Sequence, residues 1–337
     1  MRVAVIFAGA VAGDDLPVLS KATIKGATVS GLSSGAFFAT QMHVAHSSTF
    51  VGSAAVAGGP YYCARGSEST ALTSCMTGLP FGPSGDNLFK YAQSQVSSGV
   101  IDDLANLKGA PVFLYTGTKD TTVKRKVVDA NDEFFKQAGA NITYETTIPS
   151  AHSMPTVNYG SECGHLGSPY INKCDHDTAG NLLTHLLGPL AAKATDPTTA
   201  GKFIQFDQSK YLPSSDSLSG LSLGNTGYAY IPSACEDAGA ATSCKVHLVL
   251  HGCQQTIGDI QDQYVKDAGY PEWAATNNLV LIFPQAKKSL LIPTNPEGCW
   301  DWWGYSGKDY HLQSGGQMTT IMNMLKHVTG GTDSVVV

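Results

Sequence analysis

A serine enclosed by two glycines, Gly31-Leu32-Ser33-Ser34-Gly35, is the stretch best suited to covalent chemistry. It follows a strand-like run at 27–30 and precedes a helix-like run at 36–44. This order is typical of a nucleophile elbow, in which a sharp turn lifts the serine hydroxyl above a sheet. The glycines fit that turn because larger side chains would collide with the strand and the helix. The alternative is an ordinary Gly/Ser turn before a helix.

A nucleophilic serine needs a base within hydrogen-bond reach and an acid that orients the base. Asp120 follows the apolar run 111–116 through a short loop, and His152 comes shortly after the strand-like run 142–148. Both would sit just beyond strand ends, in the chain order Ser, Asp, His that these elbows use. The alternatives are a turn aspartate and a loop histidine with a local hydrogen bond.

A developing oxyanion needs two backbone N–H groups at one place. The Ser34 N–H would lie at the start of the helix. The run 246–250 ends in His251-Gly252-Cys253, a His-Gly step typical of oxyanion loops. We therefore expect the Cys253 N–H to be the second donor. Cys253 as a thiol nucleophile is the alternative, and pairing with Cys299 would exclude it.

Eight cysteines indicate disulfides and an oxidising compartment. Close spacing favours three pairs and leaves a fourth, which gives Cys63–Cys75, Cys163–Cys174, Cys235–Cys244 and Cys253–Cys299. Metal binding is the alternative, but no C-x-x-C and no paired Cys/His spacing is present, so we expect no metal and no cofactor.

Charged residues make up 14% of the 337 residues, against about 25% in typical domains. The net charge is −6 and no basic run occurs, which argues against a nucleic-acid partner. No apolar run approaches the ~18 residues of a membrane span. Such a composition suits an exported protein.

Strands and helices alternate, which predicts an α/β fold with a mainly parallel sheet and helices on both faces. Predicted strands are 27–31, 51–57, 111–116, 142–148, 246–250 and 279–283, and predicted helices are 36–46, 124–138, 176–187, 261–276 and 314–328. Residues 21–330 are expected to form one catalytic domain, with 193–227 as a long surface connection. Residues 1–20 are expected to be an N-terminal segment, whose apolar part is a compact signal peptide, a misassigned start or a buried strand.

The order of the motifs is unusual. In an ordinary α/β-hydrolase the His-Gly strand precedes the nucleophile, whereas His251 follows Ser33 by 218 positions. Joining the pieces downstream of His251 to the strand at 27–31 restores the ordinary order. The sequence therefore predicts a circularly permuted α/β-hydrolase.

Several stretches together are specific to one family. They are 29–35, Ala57-Gly58-Gly59-Pro60-Tyr61 with Cys63-Ala64, 116–123, Ser168-Pro169-Tyr170-Ile171 before Cys174, 250–253, Trp273-Ala274 with Asn277-Asn278, and Asn295-Pro296 with Gly298-Cys299-Trp300-Asp301-Trp302. In these, and over about residues 27–325, the chain resembles the extracellular poly(3-hydroxybutyrate) depolymerases with a single, permuted α/β-hydrolase domain, best known from a fungal enzyme.

The resemblance implies a secreted serine esterase that hydrolyses poly(3-hydroxybutyrate) and its oligomers, with Ser33, Asp120 and His152 as nucleophile, acid and base. It also implies oxyanion donors at Ser34 and Cys253 and four disulfides like those above. The alternative is another secreted carboxylesterase, of the feruloyl or acetyl-xylan type. We expect a monomer whose partner is the polyester, as a solid surface or as oligomers.

The resemblance also implies that an aromatic residue of the Cys-Trp-Asp-Trp stretch flanks the cleft. Trp302 is the first candidate and Trp300 the second. Trp303 and Tyr305 depart from the fungal pattern and join His251 as candidate substrate contacts. Plain core packing is the alternative for the tryptophans.

Overall fold

The computed structural model of the chain describes residues 15–236 and 243–331. Its strands are β1 Ala27–Leu32, β2 Phe50–Val56, β3 Pro111–Tyr115, β4 Asn141–Glu145, β5 Met154–Thr156, β6 Ser161–Glu162, β7 Ile171–Lys173, β8 Gly201–Asp207, β9 Thr226–Pro232, β10 Lys245–Leu250 and β11 Leu279–Phe283. Its helices are α1 Ser34–Ala45, α2 Glu68–Leu72, α3 Gly85–Ser97, α4 Arg125–Gln137, α5 Thr178–Leu187, α6 Ser233–Glu236, α7 Ile257–Ile260, α8 Gln263–Asp267, α9 Tyr270–Thr276 and α10 Gly316–Val328. Most of the predicted N-terminal segment, residues 1–14, lies outside the described residues.

Eight strands form the main sheet in the order β4-β3-β2-β1-β10-β11-β9-β8. The first six strands in this order, β4 through β11, are all parallel. β9 pairs antiparallel with β11, and the edge strand β8 pairs antiparallel with β9. β1 and β11 are both buried along their whole length, and for β11 this explains a sequence that is apolar throughout. The prediction of a mainly parallel α/β sheet is confirmed.

The permutation is visible in the pairing of the central strands. β1 pairs in parallel with β10, so that Thr28 lies beside His247 and Gly31 beside Leu250. The segment that leads into β1 starts beside the last helix, where the Leu19 N–H donates to Val328 O at 2.8 Å. The strand that leads to Ser33 and the strand that leads to His251-Gly252 are therefore neighbours, although the sequence separates them.

A buried polar network adds side-chain bonds to the β1–β10 ladder. The His247 ring is hydrogen-bonded through Nδ1 to Thr28 Oγ1 at 2.7 Å and through Nε2 to Ser30 Oγ at 2.8 Å. Ser30 Oγ is also 2.9 Å from the Tyr270 hydroxyl. Because every ring nitrogen and hydroxyl of this group has a partner, the network fixes the register of the two strands without an unpaired polar group.

Two predictions about elements are wrong. The expected helix 261–276 is two short helices, α8 and α9, separated at Gly269, whose φ of +90° cannot continue a helix and which is followed by Pro271. The segment 193–227 contains β8 and the beginning of β9 in addition to surface turns. The Ser/Thr/Gly-rich composition of this segment did not predict β8. This strand lies at the edge of the sheet, where only one of its two sides pairs with another strand.

Four buried histidines and the half-buried His46 make stability depend on pH. Burial lowers the pKa of His43 and His247 to about 3 and the pKa of His46, His251 and His311 to about 4, from 6.5. Between about pH 6.5 and 4 the unfolded chain binds protons that the folded chain excludes, so the free energy of unfolding falls as the pH falls.

We predict a Tm at pH 4.5 that is lower than at pH 7 by roughly 10 °C, since each unit of pKa difference corresponds to about 1.36 kcal/mol. Thermal unfolding across this pH range measures the loss, and NMR titration of the imidazole rings should find five that stay neutral at pH 5. A Tm that stays constant between pH 7 and pH 4.5, or a titration that does not find these five rings neutral at pH 5, would contradict the prediction.

Candidate active site

Ser33 occupies the turn between β1 and α1 in a strained backbone conformation. Its φ is +56° and its ψ is −120°, values that side-chain-bearing residues rarely adopt. The turn is held by the Ser33 N–H, which donates to Val56 O at 2.9 Å, and by Ser33 O, which accepts from the Ala36 N–H at 2.8 Å. The expected nucleophile elbow is thus present as a backbone geometry.

The flanking glycines are required by close approach rather than by their own φ. A Cβ on Gly31 would stand 2.3 Å from the backbone of Gly35, and a Cβ on Gly35 would stand 2.4 Å from Leu250 O and 2.5 Å from His251 O. The elbow therefore packs directly on the end of β10. Any larger residue at Gly35 would push the two apart.

Asp120 and His152 meet beyond the ends of β3 and β4. Asp120 Oδ2 is 2.8 Å from His152 Nδ1, and both side chains are almost fully buried. The other carboxylate oxygen, Oδ1, accepts the N–H groups of Thr122 at 2.8 Å and Val123 at 3.0 Å. Because both carboxylate oxygens are occupied, the carboxylate is fixed, and it turns His152 Nε2 to the side away from Asp120.

The loops that carry the acid and the base are tied to each other. Ser150 Oγ lies 2.7 Å from the Tyr115 hydroxyl at the end of β3, and the Lys119 N–H donates to Ser150 O at 3.1 Å. A Cβ on Gly117 would come within 2.2 Å of Ser150, so the two loops touch at that glycine. The spacing of Asp120 and His152 is therefore set by the backbone.

Ser33 and His152 line the same cavity. In the described part of the chain no hydrogen bond joins the Ser33 hydroxyl to the His152 ring. With Nδ1 engaged by Asp120, Nε2 is the ring nitrogen left for the cavity. The three predicted residues are brought together, with the serine and the imidazole facing one space.

Two backbone N–H groups are available beside Ser33. Ser34 is the first residue of α1, where a helix leaves N–H groups without intrahelical partners. Gly252 lies against the elbow, since its Cβ position is 3.3 Å from the Ser33 Cβ. Within residues 15–236 and 243–331, neither the Ser34 N–H nor the Cys253 N–H donates to another group. The pair can stabilise a negative oxygen.

The cavity has a volume of about 310 Å³ and a mostly apolar wall. Its lining includes Leu32, Phe37, Ala71, Leu72, Met76, Val123, Leu166, Tyr170, Pro296, Trp302 and Trp303, with Glu68 and Glu297 as its acidic members. Such a wall suits an uncharged aliphatic substrate with few polar groups.

All four predicted disulfides are present. Three of them close segments that form walls of the cavity. The Cys63–Cys75 segment carries Glu68, Ala71 and Leu72, the Cys163–Cys174 segment carries Leu166 and Tyr170, and the Cys253–Cys299 segment carries Asn295, Pro296 and Glu297. A crosslinked segment loses less entropy on folding, so these walls are ordered at reduced cost.

Of the five candidate substrate contacts, Trp302 and Trp303 line the cavity. Trp302 stacks on Phe37 with ring centroids 4.1 Å apart, and Trp303 meets it edge-on at 5.6 Å. This pair forms one apolar side of the space beside Ser33.

The other three candidates, Trp300, Tyr305 and His251, do not line the cavity, so the structure does not support their expected contact with substrate. Trp300 is fully buried and packs on Phe38. The Tyr305 hydroxyl donates to Cys299 O at 2.7 Å and accepts from Gln317 at 2.8 Å. The His251 ring is buried and bonded to the backbone.

A buried carboxylate decides which way these aromatic side chains face. Asp301 Oδ1 accepts the N–H groups of Trp303 at 3.2 Å, Gly304 at 2.6 Å and Tyr305 at 3.1 Å. Oδ2 accepts the N–H and the hydroxyl of Ser306 at 2.8 and 2.6 Å. The backbone curls around the carboxylate, so neighbouring aromatic residues point in different directions.

Sequence reasoning missed Phe37, Tyr170 and Gln255 as cavity residues. Phe37 stands on the predicted helix after the elbow, where an aromatic residue one turn from Ser33 is the only available signal. Tyr170 and Gln255 lie in loops whose paths the sequence does not specify.

The described ranges contain no cluster of three or more histidine, cysteine, aspartate or glutamate side chains placed to hold a metal ion. They also contain no helix with the length and apolarity needed to cross a membrane.

Comparison with known proteins gives two curated relatives. The chain is 44% identical over 308 residues to a poly(3-hydroxybutyrate) depolymerase of Delftia acidovorans, covering 90% of this chain and 60% of that protein. It is 36% identical over 323 residues to a polyhydroxybutyrate depolymerase of Talaromyces funiculosus, covering 90% and 89%. The chain thus spans about three-fifths of the length of the Delftia relative. No protein-family model matches the chain.

Two solved structures have the same fold. One is a PHB depolymerase from Penicillium funiculosum, with a TM-score of 0.84. The other is a serine-to-alanine variant of a PHB depolymerase in complex with an R3HB trimer, with a TM-score of 0.83. Each is 33% identical to this chain, and the match covers 94% of this chain and 99% of the other.

The contact between the elbow and β10 predicts the effect of Gly35→Ala. The new methyl group would overlap two carbonyl oxygens, so we expect a destabilisation of about 1–3 kcal/mol and a strong loss of Ser33 labelling by a fluorophosphonate. The control is Gly258→Ala, where the nearest atom is 3.6 Å away. Unchanged labelling and Tm in Gly35→Ala would show that the elbow does not depend on this contact.

Proposed function

The chain belongs to the polyhydroxybutyrate depolymerase family, and on that premise we propose that it is a serine esterase that hydrolyses poly(3-hydroxybutyrate) and its oligomers. One observation carries the proposal. A serine on a strained elbow, a histidine oriented by a buried carboxylate and two free N–H groups surround one apolar cavity. This set is what acyl transfer through a serine requires.

In the proposed reaction, His152 Nε2 takes the proton of the Ser33 hydroxyl while Ser33 Oγ attacks the ester carbonyl. The oxyanion is held by the N–H groups of Ser34 and Cys253. The tetrahedral intermediate collapses, and the alcohol leaves with the proton from His152. Water, activated by His152, then attacks the acyl-enzyme and releases the acid. Asp120 keeps the proton of the neutral ring on Nδ1 and stabilises the imidazolium.

Access to a solid substrate is supported by an exposed apolar tip beside the cavity. Leu290, Leu291 and Ile292 are 80, 81 and 94% exposed. They stand on a loop, residues 289–295, whose ends are joined by two hydrogen bonds between Ser289 and Asn295 of 2.9 and 2.8 Å. We call this segment the mouth loop. Its last residue, Asn295, lines the cavity, so the exposed apolar tip belongs to a segment that also forms part of the cavity wall and can adsorb to an apolar surface.

The rigidity of the stem supports the same role. Asn295 is fully buried, and its side chain bonds Cys299 N–H and O at 2.9 Å each and Ser222 Oγ at 3.1 Å. The tip is therefore held out from a fixed base. Leu72 and Leu166, both exposed, extend the apolar surface on other walls of the cavity.

We also place the enzyme outside the cell and describe it as a monomer. Four disulfides suit an oxidising compartment. One chain supplies every group that the reaction requires, so a second copy is not needed.

The first test compares wild type with Ser33→Ala on solid polymer and on a soluble trimer of 3-hydroxybutyrate. We expect Ser33→Ala to lower turnover by roughly 10³-fold or more with an unchanged Tm. Ser97→Ala, on the exposed side of α3, is the matched control. A nearly active Ser33→Ala would refute the assignment, and faster release of ferulate or of acetate from xylan would assign the site to a different ester.

The second test replaces the mouth-loop tip. Leu290→Ser, Leu291→Ser and Ile292→Ser combined should lower hydrolysis of solid polymer about tenfold or more, because burying one such side chain contributes about 1.5–3 kcal/mol. Trimer hydrolysis should stay within twofold, since none of the three lines the cavity. The control is Val18→Ser, because Val18 is also an exposed apolar residue but lies beside Gly330 and not in the mouth loop. Equal losses on both substrates would rule out a role confined to adsorption.

A further inference from the structure

Gly252 lies between two peptide groups, and its N–H and its C=O are each hydrogen-bonded to a side chain. The Gly252 N–H donates to Gln255 Oε1 at 2.7 Å, and Gly252 O is 2.7 Å from His251 Nδ1. Gln255 is buried and donates from Nε2 to Pro169 O at 2.9 Å, which ties it to another wall of the cavity. Neither peptide plane can rotate without breaking a buried hydrogen bond.

The hydrogen bonds of His251 define where its proton lies. The Ala286 N–H donates to Nε2 at 3.2 Å, so Nε2 is the acceptor and Nδ1 carries the hydrogen in the neutral ring. Nδ1 therefore donates to Gly252 O. The ring is buried beside Trp300, with centroids 5.5 Å apart, and burial lowers the pKa of His251 to about 4. It stays neutral, and in this tautomer, near neutral pH.

The direction of the next N–H follows from the covalent geometry. The peptide between Gly252 and Cys253 is trans, and in a trans peptide the C=O and the following N–H point to opposite sides. Because Gly252 O points to the His251 ring, the Cys253 N–H points away from it. Cys253 lines the cavity that contains Ser33, and within the described residues its N–H donates to no other group, so this N–H is available to that space.

We propose that His251 is a positioning residue of the oxyanion hole: by holding Gly252 O through Nδ1–H, it aims the Cys253 N–H at the reacting carbonyl oxygen. This inference rests on the proposed serine esterase function. The His251 ring does not line the cavity and is bonded to Gly252 and Ala286 rather than to Ser33, so it acts through one peptide plane. The expected effect is on the transition state, where the oxyanion forms, and not on substrate binding.

The test uses variants that separate the donor from the ring. In His251→Asn the side-chain amide NH₂ can take the place of Nδ1–H, whereas His251→Leu has a similar size and no donor. On soluble 3-hydroxybutyrate trimer we expect His251→Leu to lower kcat about 10–100-fold with KM within twofold, since losing a whole oxyanion donor costs about 10²–10³-fold. His251→Asn should recover most of kcat.

Three results would overturn the inference: wild-type kcat in His251→Leu, equal losses in the Leu and Asn variants, or a loss that lies in KM. If His251→Leu fails to fold, His251→Gln replaces it, because its longer amide reaches the Nε2 position and cannot donate to Gly252 O. Equal kcat in the Asn and Gln variants then overturns the inference. The Ser33→Ala comparison tests the proposed function separately, because Ser33→Ala keeps its activity only if hydrolysis does not use Ser33.

Discussion

The parallel pairing of β1 with β10 is the constraint on which the site depends. Each strand leads to one half of the proposed oxyanion site, Ser34 after β1 and Cys253 after β10. The ladder fixes how far each strand reaches, the network of His247 fixes the register from within, and Gly35 lets the helix after β1 touch the end of β10. Two N–H groups from distant parts of the sequence therefore converge because two strands are neighbours.

Around this rigid centre, the cavity is made of irregular segments that are each fixed locally. Three walls are crosslinked by disulfides. The backbone of residues 303–306 is wrapped around the Asp301 carboxylate, and the stem of the mouth loop is bonded through Asn295. Loops without regular secondary structure would otherwise lose much entropy on becoming ordered. Local fixing lets an apolar cavity keep its shape without a substrate in it.

The sequence predicts the site well where function depends on a short local pattern. The elbow, the acid and base beyond strand ends, the His-Gly step and three disulfide pairs all follow from residue types at short spacings or at strand ends. The fourth pair, Cys253–Cys299, follows because its two cysteines are the ones left over. It fails where direction depends on distant contacts. Trp300, Trp302 and Trp303 are the same residue type, and only the path of the backbone around Asp301 separates the buried ring from the two at the cavity.

Permutation also has a consequence for the order in which the molecule can be assembled. β1 to β4 form a parallel half-sheet within the first 145 residues, but β1 then has an unpaired edge until β10 has been synthesised. Such an edge invites pairing with other chains, and long-range parallel pairing is slow. The ribosome therefore synthesises β1, which leads to Ser33, long before β10, which leads to Cys253. During that interval Ser33 lacks the neighbouring strand that leads to Cys253, so the site stays incomplete until β10 is made.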